Sequence, residues 1–241
     1  MSITIDRHFE GPPGVANGGY VCGVLSELLP GPLEVRLHAP VPVGKPLVVG
    51  SDDHEAKLGD GETLLARGRL SDEPIEPPQV VAFEEAAQAV AARGPVEHHP
   101  FPLCFVCGPH RAPSDGLRLI PAPVQGRNVL AAPWVPHESL ATSQGLISER
   151  FVWAALDCPT YWCIAEPGET ALLGTLAGRV FGTVRPGERY VVVAWARERQ
   201  GRKLLSGSVL YTENGEQLGV AHATWIKLSR RGDPVAHSFL L

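Results

Sequence analysis

The chain has 241 residues, 44% of them hydrophobic and 20% charged, with a formal net charge of −5. That is the profile of a soluble globular protein with core enough for one large domain or two small ones, and the acidic balance without any basic block excludes the electrostatic footprint of a nucleic-acid partner. No apolar run approaches the ~18 residues of a membrane span, the N-terminal residues do not read as a secretory signal, and five cysteines fit reduced thiols better than a disulfide framework, so a cytoplasmic protein is expected.

A short segment, Ile3-Thr4-Ile5-Asp6, precedes the stretch GPPGVANGGYVCGVLSELLP at 11–30. Tyr20, Val21, Val24, Leu25, Leu28 and Leu29 fall on one helical face, Asn17 is placed to cap the helix, and Pro30 stops it. Gly18 and Gly19 open that helix, although each costs about 1 kcal/mol relative to alanine. Either another element packs very closely on this turn or a ligand does. Alternating Leu33, Val35 and Leu37 then predict a strand, Pro40 to Gly44 a turn, and 54–70 a hairpin around Asp60-Gly61.

The same order returns later at greater length. A helix is predicted over 148–162, with Phe151, Val152, Ala155 and Leu156 on one face. Strand, Arg185-Pro186-Gly187 turn and strand follow over 173–198, then a strand pair around Asn214-Gly215 over 202–228. Gly44 matches Gly187 and Asp60-Gly61 matches Asn214-Gly215, while the first copy is shorter, as if one strand were missing. Pro159 has no N–H, so the second helix is expected to kink or stop within about a turn of it. Between the copies lies a proline-rich linker carrying an alanine-rich helix at 82–94. The expected organisation is an N-terminal unit at 1–71, a linker at 72–102, a C-terminal unit at 103–230 and a polar tail at 231–241. A helix followed by an antiparallel sheet, duplicated, is an α+β arrangement in which each sheet wraps its helix, and two such units can merge their edge strands.

These residues resemble the hotdog-fold thioesterase superfamily in its double-hotdog form, similar to acyl-CoA thioesterase II. Asn17-Gly18-Gly19-Tyr20 looks like the family's helix start, and the segments HAPVPVGKPL (38–47) and VFGTVRPGERY (180–190) look like its turn between strands. CFVCGPHRAPSDGLRL at 104–119 is similar to a lead-in found in a related branch. The resemblance implies a tandem hotdog and hydrolysis of acyl-CoA or a related thioester without a cofactor. The acidic balance and the short apolar runs leave no nucleic-acid or membrane partner expected, and the oligomeric state, a homo-oligomer included, stays open. The resemblance makes Asn17, Gly18, Gly19 and Tyr20 substrate-binding, with glycine N–H groups and the helix dipole available to an oxyanion.

Asp157 is the candidate catalytic acid. It interrupts an otherwise apolar helix, where an acid is costly to bury without a partner or a task. The resemblance also places an acid nine residues after the helix start, and Asp157 lies nine after Ser148. The second copy reads Ser148-Glu149-Arg150 where the first keeps its glycines, and the first has Ser26 at the acid position, so one composite site at the interface is expected. The competing reading of Asp157 is a structural carboxylate capping a backbone N–H near Pro159. Thr175 lies near the family's catalytic Thr position. His222 and Glu27 are read as structural and solvated, respectively. Cys104, Cys107 and His110, with His98 and His99 upstream, raise a zinc reading, but a second ligand pair is lacking, so no metal is expected and Cys158 and Cys163 are assigned to the core. A non-catalytic acyl-CoA- or acyl-chain-binding module is the alternative function.

Overall fold

The repeated order folds as one layout used twice in the computed structural model, which describes residues 1–228. The polar tail expected at 231–241 lies outside the described residues. The first copy comprises β1 (Ser2–Thr4), α1 (Gly18–Ser26), β2 (Leu33–Leu37), β3 (Pro46–Ser51), β4 (Glu55–Asp60) and β5 (Thr63–Leu70). After α2 (Phe83–Arg93) come β6 (Ala122–Pro123), β7 (Leu130–Trp134), α3 (Glu149–Trp162), β8 (Ala171–Val180), β9 (Tyr190–Gln200), β10 (Lys203–Thr212) and β11 (Gln217–Lys227).

Among the described residues, all eleven strands join one sheet in the order β1-β3-β4-β5-β2-β8-β11-β10-β9-β7-β6. Outward from the centre, β2-β5-β4-β3-β1 on one side mirrors β8-β11-β10-β9-β7 on the other. The centre is the antiparallel β2–β8 pair, with Val35 opposite Leu176. This is a tandem hotdog, the two sheets merged edge to edge so that neither keeps a free central edge. The expectation of a missing strand is corrected: the first unit has every counterpart of β7 to β11, only shorter, with β2 and β3 of 5 and 6 residues against 10 and 11 for β8 and β9. The matched turn glycines, Gly44 with Gly187 and Gly61 with Gly215, all have positive φ, between 62° and 85°. That conformation strains any residue with a Cβ, which is why glycine recurs at the same two corners.

Both central helices lie against the sheet and against each other, with all of α1 buried except Gly18. Close approach is what the α1 glycines permit. A Cβ at Gly19 would come 2.7 Å from the Trp153 carbonyl oxygen and 2.9 Å from the Ala154 Cα, and one at Gly23 would come 2.9 Å from the Arg150 carbonyl oxygen. These neighbours are backbone atoms of α3, so neither side can yield. As expected, α3 ends at Trp162, within a turn of Pro159.

The second unit is covered on both faces. Tyr190 and Val192 of β9 enter the main core, while Val191 and Val193 enter a smaller core beneath α2 and the linker. This double burial explains the unbroken apolar run in β9. The linker is pinned to the sheet's outer face, where Tyr211 donates to the Pro78 carbonyl at 2.8 Å and His222 lies 3.3 Å from Glu73.

Candidate active site between the two helices

Asn17 ends the loop that leads into α1. Its side-chain oxygen accepts from the Tyr20 N–H at 2.9 Å and its backbone carbonyl accepts from the Val21 N–H at 3.1 Å. Capping thereby leaves the Gly18 and Gly19 N–H groups of the first turn to be satisfied from outside the helix. Asp157 of α3 supplies one acceptor. Its Oδ2 takes the Gly19 N–H and the Asn17 Nδ2–H, each at 2.9 Å. The glycine-opened helix start thus packs closely and binds at the same point. The second carboxylate oxygen, Oδ1, is buried and has no hydrogen-bond partner among the described residues. Burial pushes the Asp157 carboxyl from 3.8 up to about 7; the Gly19 N–H and Asn17 oppose that rise and Cys104 adds to it.

Asp157, Asn17 and Gly18 line a cavity of about 280 Å³ whose walls are mainly apolar, including Val21, Leu37, Phe101, Leu173 and Trp225. Residues from both units therefore enclose the carboxylate. Two expectations need correction. The Gly19 N–H is occupied by Asp157 and is not an open oxyanion donor, so Gly18 carries the remaining first-turn N–H. Tyr20 also turns away from the cavity, stacking on Phe9 at 4.4 Å between ring centres and accepting from Arg150 Nη1 at 3.2 Å.

Thr175 does not join Asp157. It pairs with Thr224 and with Arg36 in the sheet, and it is absent from the cavity lining, which takes Ala171, Leu172, Leu173 and Gly174 from β8. A register shift between Thr224 and Trp225 puts Leu173 and Leu176 on the core side and Thr175 on the other. His222 also points outward, towards Glu73 and Trp195. Glu27, read as solvated, instead accepts from Ser148 Oγ at 2.9 Å and from Arg150 Nε at 2.8 Å. Ser148 and Arg150 occupy in α3 the places that Asn17 and Gly19 hold in α1, so the pseudo-symmetric twin of the site is closed by an ion pair.

Sequence reasoning missed the company Asp157 keeps. Cys104 and Cys107, from the loop before β6, and Cys158, next to Asp157 on α3, bring their sulfurs within 4.8 Å of one another at the cavity wall. His99 joins them, its Nε2 3.3 Å from the Cys107 sulfur, whereas His98 and His110 are exposed. The Cys-x-x-Cys spacing was legible in the sequence; the arrival of Cys158 was not.

No family model matches the chain, and no curated protein matches it. Solved structures do. A conserved hot dog fold protein of unknown function from Alicyclobacillus acidocaldarius aligns over 95% of this chain and 93% of its own, with TM-score 0.59 at 10% identity. The tesB protein of Mycobacterium avium subspecies paratuberculosis aligns over 95% and 92%, with TM-score 0.57 at 10% identity. A candidate thioesterase II of Thermobifida fusca aligns over 95% and 93%, with TM-score 0.58 at 13% identity. Similarity at this identity establishes the double hotdog fold.

Proposed function

We propose that the chain hydrolyses a thioester of the acyl-CoA class in the cavity between its two units, with Asp157 as the catalytic base. One observation carries the reading. A carboxylate with one oxygen tied to a helix N-terminus and the other bare faces an apolar cavity. Oδ1 is the acceptor for a proton of an attacking water, whose oxygen adds to the thioester carbonyl carbon. The Gly18 N–H and the α1 dipole favour the oxyanion so formed. Collapse of the tetrahedral species breaks the C–S bond, and the proton held by Asp157 returns to the leaving thiolate, releasing acid and thiol. The apolar walls fit an acyl chain.

Hydrolysis of an acyl-CoA panel, followed with a thiol-trapping dye, tests this. Asp157→Asn keeps the acceptor for Gly19 and Asn17 but removes the base, so kcat should fall by about 10²-fold or more with folding intact. A variant that turns over at the wild-type rate refutes the mechanism. A specific observation favours a second reading, a non-catalytic acyl-CoA-binding module: Asp157 itself occupies the Gly19 N–H, leaving one first-turn donor for an oxyanion. Saturable binding with no turnover on any panel member would select it.

A further inference from the structure

We infer that Cys104, Cys107 and Cys158 form a site for one thiophilic divalent cation of the zinc class, held by three thiolates with its fourth position turned to the cavity. This goes beyond the proposed hydrolysis and stands or falls without it. The three sulfurs lie mutually within 4.8 Å, and Cys104 and Cys158 are 3.8 Å apart sulfur to sulfur. That separation is the edge of a tetrahedron with metal–sulfur bonds of about 2.3 Å.

The loop has the form such a site needs. Cys104-Phe105-Val106-Cys107-Gly108 curls tightly enough for the Gly108 N–H to donate to the Cys104 carbonyl at 2.8 Å, and a Cβ on Gly108 would stand 2.7 Å from the Cys104 nitrogen. Inside the curl, the Cys104 sulfur meets the Cys158 sulfur, and either can donate to the other.

The other sulfurs have donors too. The Phe101 N–H donates to His99 Nδ1 at 3.0 Å, so the ring proton of the neutral imidazole sits on Nε2, which points at the Cys107 sulfur from 3.3 Å. His99 is therefore a hydrogen-bond donor to a ligand, leaving the fourth position to a cavity water. Asn17 Nδ2 lies 3.6 Å from the Cys158 sulfur. The Trp162 indole N–H, buried beside Cys107, has no hydrogen-bond partner among the described residues. Neutral core thiols do not call for the donors that His99 and Asn17 turn to Cys107 and Cys158; thiolates on a metal do. Binding releases the three thiol protons as three metal–sulfur bonds form.

The test uses the full chain, reduced, stripped with chelator and titrated with Co²⁺. The expected result is one equivalent bound with sulfur-to-cobalt charge-transfer absorption, displaced by Zn²⁺. Cys104→Ser and Cys158→Ser should lose that band. Cys163→Ser should keep it, because the Cys163 thiol already donates to the Thr160 carbonyl outside the cluster. If the serine variants fail to fold, melting of the wild-type chain decides: zinc should raise the midpoint. An absent charge-transfer band, an unchanged midpoint, or a disulfide within the trio in freshly purified, unreduced protein would overturn the inference.

Discussion

Asp157 is held by two donors on one oxygen and by none on the other, deep in a site where water does not solvate its charge. Its native pKa, about 7, lies above the ordinary 3.8, so the native state binds the proton more tightly than the unfolded chain does. The stabilisation from that proton is complete below about 3.8 and is lost as pH rises through about 7. In chelator-treated protein the wild-type chain should therefore lose melting temperature between about pH 4 and pH 7 and level off above, and Asp157→Asn should flatten that slope. An identical slope in both proteins would place the titrating group elsewhere. The neighbouring glycines separate packing from access. A Cβ at Gly19 meets α3 backbone, so Gly19→Ala should destabilise the fold by about 1–3 kcal/mol in denaturant unfolding. The atoms nearest a Cβ at Gly18 are side-chain atoms of Leu173 and Leu37, which line the cavity, and the closest, at 2.8 Å, is the far end of Leu173 and can turn aside. Gly18→Ala should leave stability nearly unchanged and raise KM for acyl-CoA; the reverse pattern would contradict this division.

Among the elements, α3 carries most of the asymmetry between the two units. Its first turn replaces the glycines of α1 with Glu149 and Arg150, and Arg150 reaches back to Glu27 and Tyr20. Its C-terminal half holds Asp157 and Cys158 and is braced from the sheet. Trp225 Nε1 donates to Thr160 Oγ1 at 2.7 Å, that hydroxyl donates to the Asp157 carbonyl at 2.5 Å, and Ser208 Oγ donates to the Leu156 carbonyl at 2.5 Å. These contacts fall on the carbonyls of Leu156 and Asp157, beside the Ala155 carbonyl that Pro159 leaves without a helical donor. Glu27→Gln weakens the half-buried pair with Arg150 and should cost about 1 kcal/mol of stability while leaving hydrolysis at the composite site unaltered. Hydrolysis lost in proportion to Asp157→Asn would mean that the twin position is not closed.

For the molecule as a whole, the two units share one sheet through β2 and β8 and one core through α1 and α3. Phe105, from the segment assigned by sequence to the second unit, even donates its N–H to the Glu10 carbonyl of the first at 2.7 Å and packs on Phe9 and Tyr20. Neither half can lose its structure without exposing the other's buried face. Calorimetric unfolding should show a single transition with matching calorimetric and van't Hoff enthalpies. Two resolved transitions would show the units to be independent.

The duplicated order was legible because it rests on local rules: alternation in β2, helical spacing in α1 and α3, and glycine at corners that demand positive φ. Asp157 was legible for a similar reason, since an acid in an apolar helix is anomalous wherever the chain goes. Strand number in the first unit was misread because short strands leave little periodicity, and Thr175 rested on resemblance to the family's Thr position alone, with no local pattern to fix which face it takes. The sequence by itself determined the repeat, the fold class and the odd acid, all properties of neighbours along the chain. Only the tertiary structure decided that Gly19 would spend its N–H on Asp157, that Arg150 would seal the twin site, and that Cys158 would meet Cys104 and Cys107. Each of these joins residues more than 50 positions apart, and no local preference encodes such a meeting.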